Sequence, residues 1–200
     1  MKNQERYERA LRRFDEENSQ DPNSVEVAGI KRPRELVYAE WLTDWLLRIC
    51  PAASEELRLA ARSQHLCRWM IPRASYPMTR PGYLRWREAL KKFHAEKASK
   101  ILNEVGYPQT IIERVTSLNL KKDFPQDVEA CALEDALCLV FLERQFSELA
   151  VKTSDERMIS VLQKSWKKMT PEARKWAFKI SYGPHEKALL DRALARSADG

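Results

Sequence analysis

Glycine is scarce in this 200-residue chain, with only five present. That scarcity excludes collagen-like and Gly-rich low-complexity architectures. Cysteine is sparse too: Cys50, Cys67, Cys131 and Cys138 form no CxxC pair and stand among apolar residues. Buried, reduced thiols are expected of them, rather than a disulfide framework or a cysteine-held metal. No apolar run reaches the roughly 18 residues of a membrane span, and the first thirty residues are too densely charged for a signal peptide. A soluble, cytoplasmic protein without a membrane partner is the expectation. HExxH, P-loop and GxSxG patterns are all missing, and no segment sustains the period-two alternation of a strand.

What the chain does have is apolar residues at helical spacing. Residues 3–17 read as a charged amphipathic helix with Tyr7, Leu11 and Phe14 on one face. After the turn-rich loop "NSQDPNSVEVAG", Pro33 opens a helix over about 34–49. Ser54 is the expected N-cap of a third helix, about 54–69, carrying Leu57, Ala61, His65 and Trp69. Pro72, Pro77 and Pro81 then forbid regular helix. A long helix over about 82–105 bears Leu90, His94, Ala98 and Ile101, with Gly106 as its C-cap. A short helix spans about 108–119, and another, about 127–150, contains the wholly apolar "ALCLVFL". Two or three more helices follow, broken near Pro171 and at Gly183–Pro184. The expected fold is all-α, a single multi-helix domain over residues 1–200. Met70, Met78, Trp41, Trp45, Trp166 and Trp176 are expected to fill its core.

The net charge is +6, and it is concentrated. Between Arg62 and Lys92 there are eight basic residues and one acid, Glu88, so the rest of the chain is close to neutral. Most of these cations are arginines beside Trp69, Tyr76, Tyr83 and Trp86. Planar guanidinium groups next to aromatic rings suit an anionic ligand with a stackable base. A competing reading is internal: the arginines pair with the acids of "FDEEN" or with Glu55–Glu56 and only knit the fold.

Two histidines, His65 and His94, fall on apolar helix faces, and Glu134 and Asp135 immediately precede the apolar stretch of their helix. An isolated histidine on such a face is most simply a hydrogen-bonded core residue. A half-buried acid there most simply pairs with an arginine, Arg62 or Arg68. Imidazole and carboxylate are also the usual ligands of hydrolytic metals, which makes His65, His94 and Asp135 a candidate metal set.

The runs "LAARSQHLCRW", "FHAEKASKIL" and "LEDALCLVFLE" resemble the histidine–aspartate (HD) superfamily of metal-dependent phosphohydrolases. The resemblance implies an HD-like helical bundle, with Asp135 matching the last metal-binding aspartate, seventy positions after His65. Two departures stand out: the His–Asp doublet is replaced by Gln64–His65, and Glu35 sits where the first histidine is expected. From "RFDEENSQDPN" to "ALLDRAL" the chain also resembles a small domain-of-unknown-function family, whose plant members carry a glutamyl-tRNA synthetase label.

Two functions are therefore expected. One is a hydrolase of a phosphorylated, nucleotide-like or nucleic-acid-derived substrate. In it a divalent metal on His65, His94 and Asp135 activates water and Glu134 or Glu35 serves as base. Arg62, Arg68, Arg73, Arg80 and Arg87 would hold the phosphate, with Trp69, Tyr76, Tyr83 or Trp86 stacking on the base. The other is a non-catalytic RNA- or nucleotide-binding module using the same loop.

Overall fold

Helix α1 (Lys2–Ser19) stops where Asp21, Pro22 and Asn23 force a turn, and Asp21 Oδ1 accepts from the Asn23 amide at 2.8 Å. The chain is seen here as a computed structural model that describes residues 2–198. Strands β1 (Ser24–Val27) and β2 (Ile30–Pro33) follow as an antiparallel hairpin, with Ser24 opposite Pro33 and Val27 opposite Ile30. This hairpin corrects the expectation of a turn-rich loop without strands. Its turn rests on Ala28 and Gly29, both at positive φ. Apart from it, the described residues outside turns and loops are helical, so the fold is all-α.

Asp21 also starts the next helix. Its Oδ2 accepts from the Glu35 amide at 3.0 Å, satisfying one of the orphan donors of α2 (Arg34–Ile49), where Pro33 offers no side-chain cap. Helix α3 (Glu55–Ser63) is capped by Ser54, whose hydroxyl accepts from the Leu57 amide, as expected. It ends six residues earlier than the apolar spacing predicts. Buried Asn18 takes the Cys67 amide at 3.0 Å, and Cys67 adopts a left-handed conformation at φ 54°. His65 thus sits in a turn rather than on a helix.

The Pro-rich stretch forms two short 3₁₀ turns, Arg68–Met70 and Arg73–Ser75, before Thr79 caps α4 (Arg80–Val105). Gly82 lies so close to this loop that a Cβ there would meet the Pro77 carbonyl oxygen at 2.1 Å. Gly106, at φ 89°, closes α4, and α5 (Gln109–Leu120) packs back along it. Phe14, Leu42, Leu46, Leu57, Leu59, Leu66, Leu102 and Leu118 are fully buried in this first unit, residues 1–124. Each such side chain contributes about 1.5–3 kcal/mol of burial.

The second compact unit covers residues 125–200. It contains α6 (Val128–Val140), a π-turn (Phe141–Gln145), α7 (Phe146–Val151), α8 (Asp155–Lys168), α9 (Pro171–Ala177) and α10 (Pro184–Ala198). Leu133, Leu139, Phe146 and Met158 are its largest fully buried side chains. Trp45 is buried as expected, but Met70 and Met78 are exposed, the latter at 79%. They ride on a loop that turns outward, so helix-periodic reasoning does not apply to them.

Candidate functional site

The end of α2 that Asp21 caps carries Glu35, whose carboxylate is nearly sealed from solvent. Its Oε2 stands 3.3 Å from His65 Nδ1, and its Oε1 stands 3.9 Å from Arg68 Nε. Tyr38, one helical turn beyond Glu35, stacks flat on the His65 ring, with centroids 4.1 Å apart and planes 13° from parallel. On α4, the buried ring of His94 lies 5.9 Å from that of His65. Three residues far apart in sequence (Glu35, His65 and His94) thus form one cluster inside the first unit.

The hydrogen bonds assign the tautomers. His94 Nδ1 donates to the Leu66 carbonyl at 2.8 Å, which leaves Nε2 an acceptor, and this buried Nε2 has no hydrogen-bond partner among the described residues. Arg68 approaches His65 Nε2 at 3.4 Å, so the His65 proton belongs on Nδ1, facing Glu35. Burial drives the His65 pKa well below its ordinary value, and the cations Arg68, Lys121 and Arg87 push the same way. Burial lowers His94 to about 3, with His65 adding to the effect and the Leu66 carbonyl opposing it. Both imidazoles are neutral at physiological pH.

Glu35 moves in the opposite direction. Burial raises its pKa to about 7, Arg68 holds it down, and the Asp21 carboxylate raises it further. Near neutrality this carboxyl exists in both protonation states.

Above the cluster lies a shallow recess of about 150 Å³, bordered by Arg34, Glu35, Arg68, Trp69, Arg73 and Trp86. Trp86 donates from Nε1 to the Ile71 carbonyl at 2.9 Å, fixing its ring beneath Arg68, whose guanidinium carbon is 4.9 Å from the ring centroid. Arg73 binds the carbonyls of Tyr76 and Pro77 at 2.9 and 2.8 Å, stapling the Pro-rich loop to itself.

Within the first unit, the remaining sequence-selected residues lie outside the cluster and the recess. Arg62 forms a two-pronged pair with Asp15 at 2.7 and 2.8 Å, so here the "FDEEN" tract does supply a structural partner. Arg80, Tyr83 and Arg87 are exposed on α4, and Tyr76 is half-buried in the loop; none of the four borders the recess. In the second unit, Glu134 pairs with Lys168 at 2.8 Å. Asp135 accepts from the amide and hydroxyl of Thr170 at 2.8 and 2.6 Å. Burial raises the Asp135 pKa against these two hydrogen bonds. Lys168 and Thr170 are thus among the partners of these two acids, where sequence reasoning names Arg62 or Arg68.

Among the described residues, no group of three or more His, Cys, Asp or Glu side chains is gathered so that it could hold a metal ion. Where a cation would sit beside Glu35 and His65, the Arg68 guanidinium already stands. As arranged, these donors do not fit a resident divalent metal. Sequence reasoning passed over Asn18, Asp21 and Arg34. The "DPN" turn signal marks Asp21, but nothing local marks Asn18, because its partner Cys67 lies 49 positions away.

The domain of unknown function DUF4202 matches residues 8–190, which include every residue of this cluster. The chain belongs to the DUF4202 family. No curated protein and no solved structure matches it. The DUF4202 match spans both compact units, and no helix among the described residues is long and apolar enough to cross a membrane.

Proposed function

We propose that this DUF4202 protein binds a phosphorylated, nucleotide-like ligand by seating its phosphate in the recess above Glu35. The observation that carries the reading is the convergence of Arg34, Arg68, Trp69 and Trp86 around one buried carboxyl. Arginine supplies planar donors to phosphate oxygens, and the tryptophans supply faces for a base or sugar. Arg68 is held ready for this role by Trp86 below it and by Glu35 and His65 beside it. Protonated Glu35 removes the negative charge that would repel a phosphate, so affinity falls as pH rises through about 7.

Hydrolysis is the second reading, favoured by Glu35 itself. Its Oε2 is buried, makes no hydrogen bond among the described residues, and changes protonation near neutrality. Such a carboxyl can give its proton to the leaving oxygen of a phosphate ester as a water oxygen bonds to phosphorus, and then recover a proton from that water. The HD-like relationship belongs with this reading, and no step here passes through a metal.

Isothermal titration with nucleoside 5′-monophosphates, together with a phosphate-release assay, tests both readings. The expected result is binding that weakens at least tenfold in Arg68→Ala, and turnover abolished in Glu35→Gln with binding retained. Equal affinity in wild type and Arg68→Ala would overturn the recess as a phosphate site.

A further inference from the structure

The recess has room for about five water molecules, enough for a phosphate but not for a nucleotide. The rest of any ligand must lie on the surface outside it, and the chemistry of that surface is given by α4. From Arg80 onward, Arg80, Tyr83, Leu84, Arg87 and Lys91 recur at intervals of three and four and so share one helix face. Arg80, Tyr83, Leu84 and Arg87 are exposed, Tyr83 at 42%. Tyr83 links this face to two residues that border the recess, Trp86 and Arg73. The Tyr83 ring is 5.9 Å from that of Trp86, and the Arg73 guanidinium lies 5.9 Å from the Tyr83 centroid.

Arg80 and Arg87 stand two helical turns apart, about 10.5 Å along the axis, with Tyr83 between them and the Arg87 guanidinium 5.8 Å from its ring. No carboxylate pairs with either arginine among the described residues, whereas Lys91 is tied to Glu88 at 2.7 Å. Unpaired guanidinium groups flanking an exposed aromatic ring match a phosphodiester backbone with unstacked bases. The exposed Met78 and Leu84 would also suit a lipid surface. However, the cations on this face are separated by an aromatic ring rather than gathered into a lysine-rich cluster.

We infer that the exposed face of α4 through Arg80, Tyr83 and Arg87 is a track for a single-stranded nucleic acid, most simply RNA, whose terminal phosphate enters the recess. The inference builds on the recess reading and extends it by naming the substrate class as the end of a strand.

The test uses the full chain and three probes: a fluorescent 5′-phosphorylated twelve-nucleotide oligouridine, uridine 5′-monophosphate, and vesicles containing 30% phosphatidylserine. The double variant R80E/R87E changes exposed positions only, and its thermal midpoint serves as the folding control. The oligonucleotide is expected to bind at least tenfold more tightly than the mononucleotide. In R80E/R87E that advantage should vanish, and the salt slope should fall by about 0.7 for each phosphate that is no longer neutralised, while mononucleotide affinity falls far less than oligonucleotide affinity. A Tyr83→Ala variant that keeps both arginines should lose about tenfold in oligonucleotide affinity. Equal affinity for oligonucleotide and mononucleotide, with the double variant silent, would overturn the track and leave the recess reading intact. Oligonucleotide binding that depends on Arg80 and Arg87, without any mononucleotide binding, would uphold the track and overturn the recess. Capture by vesicles but not by the oligonucleotide would overturn the track in favour of a membrane surface.

Discussion

Oε2 of Glu35 lies 3.3 Å from Nδ1 of His65, and both groups are neutral over part of the physiological pH range. The sign of the resulting pH dependence follows from burial. Glu35 has a folded pKa of about 7 against an ordinary 4.5, so the fold favours its protonated form. Its contribution to stability is complete below pH 4.5 and is lost as pH rises through about 7. Urea unfolding of Glu35→Gln and wild type across pH 4–8 is therefore expected to diverge. The variant should gain up to about 3 kcal/mol on wild type by pH 8. Two stability curves that stay parallel would contradict the assignment of Glu35 as the buried titrating group.

His94 acts at the other end of the scale. Its folded pKa is about 3 against 6.5, so the folded state excludes a proton that the unfolded chain accepts. Stability tied to His94 is present above pH 6.5 and is lost as pH falls toward 3, at up to about 1.4 kcal/mol per pH unit. His94→Gln, whose amide can still donate to the Leu66 carbonyl, should lose less stability than wild type between pH 6.5 and 4.5. An unchanged acid limb in the variant would show that His94 is protonated in the fold.

Gly82 carries the packing of the Pro-rich loop. A Cβ at this position would meet the Pro77 carbonyl oxygen at 2.1 Å, and that oxygen is also bound by Arg73. Gly82→Ala should push the loop away from α4 and destabilise the protein by about 1–3 kcal/mol, with weaker phosphate binding. A thermal midpoint within a degree of wild type would mean the loop does not rest on α4 as described.

Thr170 serves two masters in the second unit. Its hydroxyl donates to Asp135 at 2.6 Å and accepts from the Ala173 amide at 3.3 Å to cap α9. Thr170→Val removes both hydrogen bonds and should cost about 1–2 kcal/mol, while Thr170→Ser should recover most of that loss. Calorimetry of the two variants separates the hydroxyl from the methyl, and equal melting would assign no role to the hydroxyl.

Most of the helices were legible from local signals. Ser54 and Gly106 act as the caps their chemistry implies, and Pro72 and Pro77 break the chain where expected, whereas Pro81 stands in the first turn of α4 rather than before it. The hairpin was not legible, because its strands are four residues each and one ends on Pro33. The end of α3 was hidden for a different reason. The group that stops it, Asn18, acts across 49 positions, so helical spacing runs on through His65 and Trp69 after the helix itself has ended. For the site, residue types pointed to Glu35, His65, His94 and Arg68, and these do cluster. Asp135 shows the limit of that approach. A half-buried acid beside apolar residues has the same local appearance whether it faces a ligand or, as here, accepts from the first turn of a neighbouring helix.

Asn18 also makes the amino end of the chain a handle on the recess. Its side chain holds the Cys67 amide and reaches the Glu35 carbonyl at 3.5 Å, while its neighbour Glu17 is gripped by Lys97. Trimming or fusing the protein so that the last turn of α1 unwinds would release the backbone on both sides of the His65–Glu35 contact, although neither Asn18 nor Glu17 borders the recess. Any partner that grasped this first helix would thereby loosen or tighten the floor of the recess from a distance.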